Sequence, residues 1–106
     1  MAIELTSQNF EQEVSKSEKP VIIDAFATWC GPCQMMLPIF EDLSKEMADQ
    51  YNFVKLNIDE ERDLATKFNV SSVPTFIFVK DGEVVGKATG YMDKDSFKEA
   101  ITSNLK

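Results

Sequence analysis

Histidine is absent from this chain. That excludes Ser-His-Asp and Cys-His nucleophiles and any histidine-ligated metal. Basic residues are scarce, eleven lysines and arginines against eighteen acids, for a formal charge of -7. Such a balance argues against a general nucleic-acid binder, because neutralising phosphates needs basic patches. The acidity itself reads first as solubility and second as steering toward a partner with a basic face. No apolar run approaches the roughly 20 residues needed to cross a membrane. The opening stretch Met1-Ala2-Ile3-Glu4-Leu5 has neither a basic region nor a long apolar core, so it does not read as a signal peptide. The expectation is a cytoplasmic protein, where paired cysteines are more often catalytic than structural. Linkers, repeats, low-complexity segments and a Gly-rich nucleotide loop are also missing, and no bound cofactor is expected.

What is present is concentrated. The only two cysteines and the only tryptophan fall within Trp29-Cys30-Gly31-Pro32-Cys33. An apolar run, Val21 to Ala27, leads into this pentad, and a helical pattern, roughly Cys30 to Asp49, leads out. Two thiols two residues apart at a strand-to-helix junction can close a small disulfide ring. Cys30 would lie at a helix N-terminus, where free N–H groups and the helix dipole favour an anion. The residues alone leave two alternatives open: a zinc site shared between two chains, and a pair of inert buried cysteines.

The 106 residues, 43% of them hydrophobic, suit one domain spanning 1–106 with a single ordinary core. In chain order, Ile3 to Leu5 is a short strand. Thr6 or Ser7 caps a helix from Gln8, with Phe10 and Val14 on its apolar side. Val21 to Ala27 is a central strand covered on both faces, with Asp24 in its middle. The next helix carries an apolar stripe at Met36, Phe40, Leu43 and Met47 and an interior Pro38, which predicts a kink. Phe53 to Ile58 alternates as a strand. Acids at 59–61 open a helix that buries Leu64, Ala65 and Phe68 and stops at Asn69. Asp81-Gly82 joins two strand-like runs as a hairpin, with Lys80 and Glu83 facing each other. Asp93 or Asp95 caps a last helix with Phe97, Ala100, Ile101 and Leu105 inside. The class is therefore α/β, order βαβαβαββα, with a mixed five-stranded sheet flanked by four helices.

The pentad and this order together resemble the thioredoxin family, over the whole chain. The resemblance implies a dithiol–disulfide oxidoreductase that reduces protein disulfides through a mixed disulfide and is recharged by thioredoxin reductase with electrons from NADPH. It implies that Cys30 is the nucleophile and Cys33 the resolving thiol. Asp24 would be a buried carboxyl behind the disulfide that takes the Cys33 proton, with Lys55 as the partner that tunes it. Pro74 would be a cis-proline beside the disulfide, although only about one X-Pro bond in twenty is cis in folded proteins. Val73 would then offer its backbone to an extended substrate segment. Trp29, Gly31, Pro32 and Gly90 complete the implied substrate surface: Trp29 covers one side of the disulfide, Gly31 permits close approach, Pro32 stiffens the ring, and Gly90 leaves a flat spot. The expected partners are thioredoxin reductase and disulfide-containing proteins, with no nucleic acid, no membrane and a monomeric state. The Gly-Pro dipeptide disfavours an oxidase or isomerase. Three features depart from the family's usual pattern: Ala25-Phe26-Ala27 before the motif, Gln34 where a basic residue often follows the second cysteine, and Ser71-Ser72 before Pro74.

Overall fold

A computed structural model describes residues 2–106; Met1, part of the opening stretch read above, lies outside the described residues. Five strands, β1 (Ile3–Glu4), β2 (Val21–Phe26), β3 (Asn52–Asn57), β4 (Thr75–Lys80) and β5 (Glu83–Thr89), form one sheet in the order β1-β3-β2-β4-β5. The first three run parallel, as helical crossovers require; β4 is antiparallel to β2, and β5, antiparallel to β4, again points the way of the first three. Three α-helices, α1 (Gly31–Glu46), α2 (Arg62–Lys67) and α3 (Lys94–Asn104), and one π-helical turn, Glu11–Ser15, are the four helical segments around it.

β2 sits at the centre and is buried on both sides because its residues feed two separate cores. Val21, Ile23 and Ala25 join Val14, Val54, Leu56, Leu64 and Phe68 on one face. Ile22 joins Met36, Phe40, Leu43, Phe53, Phe76, Phe78 and Phe97 on the other. Alternate residues of a strand point to opposite faces, so a nearly unbroken apolar run is what such a strand needs. On the α1 side the aromatic rings meet each other. Phe40 meets Phe53 edge-on at 5.3 Å between centroids and Phe97 at 6.0 Å, and Phe97 meets Phe76 at 4.6 Å. α1 runs on past Pro38 to Glu46 while Met36, Phe40, Leu43 and Met47 stay buried along one side.

The turns follow local chemistry. Asp81 (φ 53°) and Gly82 (φ 81°) are both left-handed, as a two-residue hairpin loop demands, and Lys80 pairs with Glu83 across it. Asn69 (φ 55°) ends α2, and Asp93 caps α3 by accepting the Ser96 N–H at 2.8 Å.

The first helix departs from its sequence pattern. Instead of an α-helix from Gln8, the chain makes one wide turn in which the Lys16 N–H reaches the Glu11 carbonyl at 2.8 Å. Thr6 does act as a cap, exchanging hydrogen bonds with Asn9: its Oγ1 accepts the Asn9 N–H and its own N–H donates to Asn9 Oδ1. Where the helix stops, Asn52 Nδ2 donates to the Glu13 carbonyl at 2.9 Å, supplying a partner that a further helical turn would have provided.

The aromatic cluster gives a direct test. Phe40→Ala removes a wholly buried ring at the point where α1 meets the sheet. The expected cost is about 3–5 kcal/mol in urea unfolding of the oxidised protein. A loss below about 1 kcal/mol would mean that this ring does not centre the packing.

Candidate active site

Three elements converge on the pentad: the end of β2, the start of α1 and the loop before β4. Cys30 has extended backbone (φ −94°, ψ 117°) and is the N-cap residue of α1. Gly31 and Pro32 form the first helical positions; proline belongs there because its missing N–H would have no helical acceptor. The Cys33 N–H donates to Cys30 Sγ at 3.2 Å. Cysteine sulfur thus fills the role that an oxygen of serine or aspartate fills at ordinary N-caps. Cys30 and Cys33 are joined as a disulfide, with Cα atoms 5.2 Å apart. Both are largely covered, 6% and 3% exposed, against Ala27 with Phe26, Ile58 and Val73 around them.

The other residues singled out from the sequence are gathered round this bond to different degrees. Trp29 stands 71% exposed, its indole Nε1–H donating to Asp59 Oδ2 at 3.0 Å. The Val73–Pro74 peptide bond is cis, and the Val73 carbonyl oxygen lies 3.7 Å from Cys30 Sγ. Gly90 (φ 89°) donates its N–H to the Pro74 carbonyl at 2.9 Å, which ties the end of β5 to the same loop. A Cβ at Gly31 or at Gly90 would meet nothing of this chain within 4 Å, so both leave open space toward solvent. The positive φ is a second reason for glycine at Gly90. Gln34, in place of a basic residue, turns back and donates to the Thr28 carbonyl at 3.3 Å.

Asp24 is 2% exposed, and its Oδ1 has no hydrogen-bond partner among the described residues. Burial pushes its carboxyl up from 3.8 to about 7; the Lys55 ammonium opposes the rise and the Glu41 carboxylate adds to it. Lys55 is the register neighbour of Asp24 across β2 and β3. Its ion pair, however, is with Glu41 of α1, at 3.0 Å. Glu41 and Asp59 are the site residues that sequence reasoning missed. Glu41 lies eight residues, about two turns, past Cys33 on the same helix, a spacing that could have marked it. Nothing in the local pattern marks Asp59 as the acceptor for an indole 30 residues away.

A disulfide capped by a helix N-terminus, with a proton-holding carboxyl buried in the adjacent strand, defines a protein of thiol–disulfide exchange. The family model for thioredoxin matches residues 1–103. A thioredoxin of Bacillus subtilis is 40% identical over 103 residues, covering 97% of each chain. A thioredoxin of Rickettsia bellii is 39% identical over 105 residues, 99% of this chain and all of the relative. One from Alicyclobacillus acidocaldarius is 38% identical over 101 residues, 95% of each. The chain belongs to the thioredoxin family. It is a dithiol–disulfide oxidoreductase, a protein-disulfide reductase working through the Cys30–Cys33 pair.

The position of Asp24 has a consequence for stability. Its folded value of about 7 lies above its ordinary 3.8, so the folded state holds a proton that the unfolded chain releases. The contribution of Asp24 to stability is therefore complete below about pH 4 and is lost as pH rises to about 7. Asp24→Asn lacks this loss. In urea unfolding of the oxidised protein it should match the parent near pH 4 and exceed it at pH 8. The gain is on the order of 4 kcal/mol, at about 1.4 kcal/mol per pH unit. A constant difference across that range would mean that Asp24 does not titrate in this window.

Proposed function

We propose that Cys30 is the nucleophile and Cys33 the resolving thiol, that Asp24 accepts the Cys33 proton, and that Lys55 tunes Asp24. The observation that carries this reading is the Cys33 N–H bonded to Cys30 Sγ at the start of α1. A donor and a helix dipole aimed at one sulfur favour its thiolate, which is the attacking form.

The cycle starts from the reduced pair. The Cys30 thiolate attacks one sulfur of a substrate disulfide; that bond breaks, one substrate sulfur leaves as a thiolate, and a mixed disulfide forms. Cys33 then gives its proton to the Asp24 carboxylate and attacks Cys30 Sγ. The mixed disulfide breaks, the second substrate sulfur leaves, and the Cys30–Cys33 disulfide remains. Two electrons have passed to the substrate. A carboxyl that titrates near pH 7 supports the acceptor role, since it can both take and return a proton at working pH.

Trp29, Gly31, Pro32, Val73, Pro74 and Gly90 form the surface for an extended substrate segment. The exposed indole, the two glycines with open space above them and the Val73 carbonyl beside Cys30 Sγ support this. The substrates are disulfide-containing proteins. Thioredoxin reductase, fed by NADPH, returns two electrons to the pair. The protein works as a monomer, one domain over residues 1–106, in the cytoplasm, away from nucleic acid and membrane.

The test is turbidity caused by disulfide reduction in the presence of NADPH and reductase. Cys30→Ser should fall to background. Cys33→Ser should stall as a mixed disulfide that carries substrate on Cys30, visible on a non-reducing gel and mapped by mass spectrometry. A trapped substrate adduct on Cys33 in the Cys30→Ser variant, with none on Cys30 in the Cys33→Ser variant, would reverse the two assignments.

A further inference from the structure

The Glu41 carboxylate, half-buried on the flank of α1, has two separate partners. Its Oε1 accepts the Ala2 N–H at 3.1 Å, and its Oε2 meets Lys55 Nζ at 3.0 Å. Lys55 stands next to Asp24 in the register of β2 and β3. One ammonium thus has two carboxyls within its influence, and it is bonded to the more exposed one.

We propose that Glu41 is a positioning residue of the exchange site: by holding the Lys55 ammonium, it sets how much positive charge the buried Asp24 carboxyl feels. The inference rests on the reading of Asp24 as acceptor of the Cys33 proton, and it adds a residue through which that acceptor is controlled.

The sign follows from the charges. An ammonium nearby favours an ionised carboxyl, and a carboxylate nearby disfavours it. Both act on Asp24, Lys55 drawing its proton off and Glu41 holding it on. Glu41 works twice, through its own negative charge and by neutralising Lys55. It remains a fixed charge while Asp24 titrates. Burial alone would raise its carboxyl, but the Ala2 N–H and the Lys55 ammonium oppose burial, and it is held below the usual range. Few other charges surround Asp24. Among the described residues, the charges that act on it are Glu41 of α1 and Lys55 of β3, and the contributions of β4 and α3 to that face, Phe76, Phe78, Phe97 and Ile101, are apolar.

Glu41→Gln keeps the shape and an acceptor for the Ala2 N–H but removes the charge. The Asp24 midpoint, followed by carbon NMR of its carboxyl in the oxidised protein, should fall by about one pH unit. It should fall by clearly less when Lys55 is already methionine, because part of the effect runs through Lys55. Glu41→Lys should lower it further. An unmoved midpoint, or an equal fall with and without Lys55, overturns the inference. Failure of the acceptor reading looks different. The midpoint would move as described while the pH profile of mixed-disulfide resolution stayed in place; Glu41 would then still govern the Asp24 proton, and the acceptor role alone would fall.

Discussion

Helix α1 has to begin at Gly31, and the chemistry depends on that boundary. With Cys30 as the extended N-cap residue, its sulfur faces the free N–H groups of the first turn and receives one of them. A shift of the chain by one residue along the helix would turn each side chain by about 100° relative to the sheet. Cys33 would leave its partner, and the stripe at Met36, Phe40 and Leu43 would leave the core. The same aromatic and aliphatic packing that fixes the rotation of α1 therefore fixes where the two sulfurs meet. On the other side of the site, the loop before β4 is held by the Gly90 N–H on the Pro74 carbonyl, so the Val73 carbonyl keeps its place beside Cys30 Sγ. Precision at the disulfide comes from regular elements and one short tie, with little left to loop flexibility.

Much of this was legible in the sequence because it is governed by neighbours in the chain. The buried strand before the pentad, the α1 stripe, the Asp81-Gly82 hairpin and the Asp93 cap each depend on residues a few positions apart, and each forms as its pattern implies. What escaped was set by distant contacts. The spacing of Phe10 and Val14 fits an α-helix, yet the chain makes one wide turn, and a side-chain amide from β3 takes up the Glu13 carbonyl at its end. The partner of Lys55 could not be read from strand alternation. Alternation tells which face a side chain occupies, whereas the helix flank it meets depends on how α1 lies across the sheet. The Trp29–Asp59 bond is of the same kind, formed by an exposed ring and a loop carboxylate that no periodicity connects.

Asp24 is where structure and use are in tension. Every other position of β2 is filled by a side chain that gains from burial, whereas this one gives up hydration and leaves one oxygen without a partner. A carboxyl at this place weakens the fold at neutral pH by the free energy of keeping its proton. If Asp24 takes the Cys33 proton as proposed, stability and turnover pull on this position in opposite directions. A lineage bred for endurance alone would trade the aspartate away early and keep a sturdier, slower protein.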